Sequence, residues 1–200
     1  MSTTPRKALP TSYPSKLTHK RVRPENVASI GGNVPDDMKE HVASMFHIFM
    51  GRGAAFADSV GERVKITSID IIPKVDEPEK LESRVVCEID VSEDMVNGGG
   101  NMHGACSVYL IDVCSSLPIC ALDLAQGGSG SAGVSQAINT IFHSPAIIGD
   151  TVRIISSTLS IGARTTSSRC EIWNVTQHRL VASGVHVKME PTPSSGRSKL

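Results

Sequence analysis

The stretch NGGGNMHGACSVYLIDVCSSLPICALDLA, Asn97 to Ala125, decides how the rest of the chain is arranged. It opens with an asparagine and three glycines, passes through His103 and Gly104, and continues as an apolar run whose only charges are Asp112 and Asp123. From Met102 to Leu124 the apolar residues go most of the way round a helical wheel, which predicts a buried helix rather than a one-faced surface helix. Pro118 lacks the N–H that a helix interior uses, so the helix should kink or end between Cys114 and Leu117. The run approaches membrane-spanning length, but Asp112 and several serines interrupt it and no basic flank follows, so it reads as a core helix and not as a span. A carboxylate in this company should be buried. Such a group either shifts its pKa upward or serves as a functional base.

The chain on either side supplies what the helix needs. Asp36 to Gly53 carries Met38, Val42, Met45, Phe46, Phe49 and Met50 at spacings of three and four, behind an acidic start, and predicts a shorter helix in front. Arg63 to Ile72 and Ser83 to Ser92 read as strands, the second with Val85, Cys87, Ile89 and Val91 on one face and Glu88 and Asp90 on the other. After the glycine- and serine-rich loop AQGGSGSAG come four further strand patterns, Val134 to Phe142, Thr151 to Ile161, Thr165 to Val175 and Leu180 to Met189. Their short connections favour antiparallel neighbours. The expected class is α+β, an antiparallel sheet wrapped round a long central helix with an extra N-terminal helix. A sheet covers such a helix on one side only, so a second subunit is expected on the other.

Composition narrows the partners. Lys plus Arg and Asp plus Glu both number 20, so the chain as a whole presents no strong field to nucleic acid or to an anionic surface. Four Phe, two Tyr and one Trp are too few for a base-stacking platform. Five cysteines without a CxxC pair suggest a reducing compartment and small buried side chains, and seven histidines without metal spacing point to no metal centre. Residues 1 to 35 are basic and rich in proline and read as a disordered or peripheral arm; its prolines disfavour the amphipathic helix of a transit peptide. Residues 36 to 189 form the folded domain, and 190 to 200 a flexible tail ending in Ser198-Lys199-Leu200, the tripeptide read by the peroxisomal import receptor. A peroxisomal location is therefore expected, with mitochondrial and cytoplasmic locations as alternatives.

Motif by motif, nucleotide and serine chemistry fall away. Gly98 to Gly100 are followed by Asn101, Met102 and His103, which breaks the dinucleotide fingerprint, and no Gly-Lys pair forms a phosphate loop. Gly133-Val-Ser135-Gln-Ala lacks the last glycine of a nucleophile elbow. What remains is the helix start at Gly104, whose unpaired N–H groups suit a developing negative charge, and Asp112. The alternative reading takes the glycines as a tight turn only, and Asp112 as a structural acid bonded to Ser115, Ser116 or backbone. Nine residues separate His103 from Asp112, which places them on opposite helix faces and about 13 Å apart along the axis. If both serve one site, Asp112 comes from a two-fold partner with the helices antiparallel.

Asn97-x-x-Gly100-x-Met102-His103-Gly104, with Asp112 eight residues further on, resembles the hotdog-fold acyl-CoA thioesterases of the phenylacetyl-CoA and thioesterase-superfamily branch. So do Gly133-Val-Ser135-Gln-Ala-Ile-Asn139 to Asp150 and Leu180-Val-Ala-Ser-Gly-Val-His186. The resemblance implies obligate dimers, often paired into tetramers, and hydrolysis of an acyl-CoA to free acid and coenzyme A without a cofactor. It implies that Asn97 and the Gly104 amide hold the thioester carbonyl, that Asp112 of the facing subunit is base or nucleophile, and that Ser135 orients Asp112 or the water. Gly100 and His103 would shape the substrate loop. The chain departs from the family pattern at Ala105, where a second glycine is common, and at Ile147 and Ile148, where a basic residue often stands. Two other readings stay open, a non-catalytic acyl-CoA-binding protein and an enoyl-CoA hydratase, although the hydratase pattern wants a His where Leu117 stands.

Overall fold

The computed structural model describes residues 27–50 and 56–190. Most of the basic arm and the Ser-Lys-Leu tail lie outside the described residues. In chain order the elements are α1 (Asp36–Phe49), α2 (Asp58–Gly61), β1 (Lys65–Pro73), β2 (Leu81–Asp90), a 3-10 turn (Glu93–Met95), α3 (Gly104–Cys114), α4 (Leu117–Ala125), β3 (Val134–Phe142), β4 (Thr151–Ile161), β5 (Thr165–Asn174) and β6 (Arg179–Met189). The six strands make one antiparallel sheet in the order β1-β2-β4-β5-β6-β3. Tight connections keep β4, β5 and β6 side by side. Two connections cross the sheet: the helical stretch between β2 and β3, which is why β3 ends up at the edge opposite β1, and residues 143–150, which return past β6 and β5 to β4.

The helix is inside, as its all-round apolarity demands. α3 lies over β3, β5 and β6, α4 lies over β1, β2 and β4, and α1 packs against α4 and α3 from outside the sheet. Leu110, Ile111, Leu117 and Ala121 are fully buried, facing a sheet that contributes Ile154, Ile172 and Ala182. Burying side chains of this kind contributes roughly 1.5–3 kcal/mol each. By length and composition Gly104–Ala125 could cross a membrane, but 72% of its most apolar window is buried within the fold. The apolar length is satisfied by the sheet and by α1.

The structure departs from the sequence reading in three places. First, the helix expected from Met102 to Leu124 starts only at Gly104, while its break at Ser115 and Ser116 falls inside the Cys114–Leu117 window marked by Pro118. Pro118 falls in the first turn of α4, where a missing N–H leaves nothing unpaired. Met102 and His103 stay extended because their N–H groups donate across the loop, Met102 to the Ala146 carbonyl at 2.7 Å and His103 to the Met95 carbonyl at 2.8 Å. Second, residues 27–34, counted with the arm by composition, dock on β1. Val27, Ile30 and Val34 are buried, the Gly31 N–H donates to the Thr67 carbonyl at 2.9 Å, and Asn33 bonds Ile71 through both ends of its amide. Third, the Gly/Ser-rich loop is organised rather than loose: Asp123 Oδ2 accepts from the N–H groups of Gly130 at 2.7 Å and Ser131 at 3.2 Å. That gives the second charge of the central run a structural job.

Cys87, Cys114, Cys120 and Cys170 are buried, Cys106 is partly so, and all five are free thiols. Desolvation pushes the Cys106 thiol up to about 11 and Cys120 up to about 12, so both are protonated near neutral pH.

Candidate active site

The candidate residues gather into two groups at opposite ends of α3. The first is built from a loop. Asn97 folds the glycine turn over its own side chain: Oδ1 accepts from the N–H of Gly99 at 2.9 Å and of Asn101 at 3.4 Å, while the Asn97 carbonyl accepts from Gly100 N–H at 2.9 Å. Gly100 takes φ of 76°, left-handed backbone that a side chain would strain. The turn then runs into α3 through His103, which caps the helix: its Nδ1 accepts the Ala105 N–H at 3.0 Å. The His103 ring is therefore tied to the helix start. Among the described residues the Gly104 N–H has no hydrogen-bond partner, as expected for the first residue of a helix.

Gly104 is approached from the sheet side. A Cβ there would sit 3.3 Å from Cζ of Phe142, the last residue of β3. The glycine admits that ring and leaves the neighbouring amide unscreened by a side chain.

The second group is built from side chains of three elements. Ser135 on β3 donates to Asp112 Oδ1 on α3 at 3.3 Å. His186 on β6 places Nε2 at 2.9 Å from Ser135 Oγ and 3.6 Å from Asp112 Oδ1. Its other nitrogen, Nδ1, is 2.7 Å from Ser115 Oγ. Lys188, two residues along β6, donates to Ser116 Oγ at 2.9 Å and to Ser135 Oγ at 3.4 Å. Both serines of the helix break thus anchor the network; Ser116 also donates to the Asp112 carbonyl at 2.9 Å, and Ser115 Oγ lies 3.4 Å from the same oxygen.

A strand defect makes this meeting possible. Ser135 pairs with Lys188 and Ile138 with His186, an odd separation on β3 opposite an even one on β6. In a regular strand, residues three apart point to opposite faces. The register shift between Ser135 and Ala137 inserts Gln136 as a bulge and turns Ser135 to the helix side.

Hydrogen-bond arithmetic orders the protons. A carboxylate only accepts, an ammonium only donates, and a serine hydroxyl has one proton. With that proton spent on Asp112, Ser135 accepts from both Lys188 and His186, so His186 carries its hydrogen on Nε2. Burial lowers the His186 pKa to about 4, with the charge on Lys188 acting in the same direction and Asp112 opposing it. The imidazole is neutral near neutral pH, and its bare Nδ1 accepts from Ser115. Lys188 is also held below the usual lysine range, chiefly by desolvation.

Asp112 itself differs from expectation. It is not buried: 45% of its side-chain surface is exposed, whereas His186 behind it is fully enclosed. The reason is position. Asp112 lies where α3 passes the edge strand β3, beyond which none of the described residues covers it. Ser115 and Ser116, the partners expected of a structural acid, do approach Asp112, but at its backbone carbonyl, and they leave the carboxylate to Ser135.

α3 is continuous from Gly104 to Asp112, so about 12 Å of axial rise separates the two groups. Ser135 is gathered with Asp112, while Asn97, Gly100 and His103 are gathered with Gly104. His186 closes the Leu180–His186 stretch that carried the resemblance but was given no role, and Lys188 was not singled out, although the strand pattern carried a signal. They occupy the inward positions of β6 after Ala182 and Gly184, two polar residues where alternation calls for apolar ones. Among the described residues no group of three or more His, Cys, Asp or Glu side chains could hold a metal ion.

Comparison with known proteins adds the lineage. Residues 99–181 match the family model described as the thioesterase superfamily. Mouse acyl-coenzyme A thioesterase 13 is 32% identical over 111 residues, covering 56% of this chain and 73% of that protein. The crystal structure of zebrafish thioesterase superfamily member 2 superposes with a TM-score of 0.60 at 27% identity, over 75% of this chain and 98% of that one. The E. coli PaaI protein from the phenylacetic acid degradation operon shares the fold, with a TM-score of 0.54 at 20% identity over 76% of this chain and 95% of that one. With six antiparallel strands round a central helix and these relatives, the chain belongs to the thioesterase superfamily and is a hotdog-fold thioesterase.

Proposed function

We propose that the enzyme hydrolyses an acyl-CoA to the free acid and coenzyme A, with Asp112 as general base. The observation that carries this reading is the half-exposed Asp112 carboxylate, oriented from behind by Ser135 and His186 and open to water in front. Relatives named acyl-coenzyme A thioesterase support the substrate class. In the step proposed, Asp112 takes a proton from water as its oxygen attacks the thioester carbonyl. The resulting oxyanion is held by the Gly104 N–H and Asn97 Nδ2, each donor lowering the barrier by about 3 kcal/mol. Collapse breaks the C–S bond, and the proton on Asp112 leaves with the thiol.

One protomer cannot bring both groups to one carbonyl, so the reading includes a two-fold dimer, alone or paired into a tetramer. The edge of β3 supports it. Val134, Ile141 and Phe142 are 48%, 57% and 56% exposed, an apolar strand with unpaired backbone groups that a second copy can cover. α3 runs antiparallel to β3, with Gly104 at the Phe142 end and Asp112 at the Ser135 end. Two β3 strands paired antiparallel about a two-fold bring the Asp112 end of one subunit beside the Gly104 end of the other.

Replacing Asp112 with Asn is expected to lower kcat on the order of 10³-fold in a thiol-release assay across acyl-CoA chain lengths, with melting and assembly unchanged. Wild-type turnover in folded Asp112→Asn would sink the mechanism. Tight acyl-CoA binding with no thiol released by the unmodified enzyme would favour a binding protein instead. We further propose peroxisomal import where Ser198-Lys199-Leu200 form the free carboxyl terminus. Deleting them from an N-terminally fluorescent chain should leave it in the cytosol, and unchanged peroxisomal signal would refute the address.

A further inference from the structure

Among the described residues, Lys188 is the one ammonium with almost no access to water. It is 5% exposed, and its Nζ lies at 2.9 Å from Ser116 Oγ and 3.4 Å from Ser135 Oγ. Enclosing a lysine among apolar groups costs several kcal/mol unless its charge or its protons are used. A methionine would fill the same space at no such cost. The neighbours show where the charge is directed. The titratable groups facing Lys188 are Asp112 from α3, Cys120 from α4 and His186 on its own strand. Cys120 is a thiol pushed up to about 12, and His186 is neutral with a pKa lowered to about 4, so Asp112 supplies the anion. The path between them is a single hydroxyl, because Ser135 accepts from Lys188 and donates to Asp112 Oδ1.

We infer that Lys188 is a positioning residue of the active site, fixing the Ser135 proton on Asp112 and setting a buried positive charge behind that carboxylate. The inference rests on the reading of Asp112 as base. It gives the buried cation two separable effects. Donation to Ser135 Oγ uses one of its lone pairs and leaves the hydroxyl proton aimed at Asp112. The positive charge attracts the Asp112 carboxylate through a medium of low polarity and draws it toward Ser135. Ser116 ties the ammonium to the helix break, so the charge keeps its distance from Asp112 whatever occupies the cleft.

Two variants of nearly native size separate the effects. Lys188→Met removes both donor and charge, and Lys188→Gln keeps a donor. In thiol release with the best acyl-CoA of a chain-length panel, Lys188→Met should lose roughly 10- to 100-fold in kcat with KM within about twofold. Lys188→Gln should regain part of that loss, because it restores a donor to Ser135 Oγ. The 13C chemical shift of the Asp112 carboxyl at neutral pH, assigned with Asp112→Asn, reads the hydrogen bond from Ser135 without turnover and should change in Lys188→Met and change less in Lys188→Gln. Folded variants whose kcat and carboxyl shift both match wild type would overturn the inference. If Lys188→Met does not fold, the Lys188→Gln spectrum decides alone. Should Asp112→Asn retain thiol release, the reading of the base fails, while the carboxyl shift still reports whether Lys188 acts on Asp112 through Ser135.

Discussion

The two ends of α3 are organised by opposite means. At Gly104 the useful group is a backbone N–H, and the work of placing it is local: Asn97 folds the turn, Gly100 supplies the left-handed residue, and His103 caps the helix. At Asp112 the useful group is a side chain, and placing it takes residues up to 76 positions away on two strands. The first end presents the partial positive charge of a helix start. The second presents an anion backed by a neutral imidazole and an enclosed ammonium. A thioester needs both, one to receive charge on its oxygen and one to activate water. The helix keeps them too far apart to neutralise each other within one chain.

That contrast can be broken at either end. Gly104→Ala adds a methyl that meets the Phe142 ring at 3.3 Å and should displace the amide, costing about 10²-fold in kcat while α3 gains helix propensity. A folded Gly104→Ala enzyme with normal kcat would mean that the glycine only makes the turn. Complementation sharpens the point. Asp112→Asn and Gly104→Ala chains, coexpressed with different tags, should recover about a quarter of wild-type activity, since half the dimers are mixed and each mixed dimer has one intact site of two. No recovery in purified mixed dimers would place the whole site in one chain. The smallest effect belongs to stability at the Asp112 end. Below the ordinary histidine value of 6.5 the unfolded chain binds a proton that buried His186 refuses until about pH 4. Stability should therefore fall as pH drops across that window, and melts of His186→Asn should show a shallower fall over it. Equal slopes in both proteins would assign the loss to other groups.

The same contrast explains what could be read in the sequence. Asn97, Gly100, His103 and Gly104 sit within eight residues, so a motif scan meets them together. The strands were legible because β3 and β4 alternate or carry β-branched residues between clear turns, and their boundaries match the pattern reading residue for residue. The helix break was foreseen from Pro118, although its two serines had no visible purpose until β6 was beside them. His186 and Lys188 required the register of a bulged strand pair, which no local pattern specifies. Asp112 was misjudged as buried because apolar neighbours in sequence were taken as neighbours in space. The edge of β3 leaves that position open.

Gln136 carries a consequence for how the family can vary. Loops such as the one around Asp123 absorb insertions readily, and most of this sheet would survive a shortened turn. Length change at the bulge is different in kind. Removing one residue there would restore an unbroken ladder and a well-formed strand, yet would swing the Ser135 hydroxyl to the outer face, away from Asp112, His186 and Lys188. With Asp112 as the proposed base, the more regular protein would be the inactive one, and deletions at this spot would be tolerated by folding and lost by function.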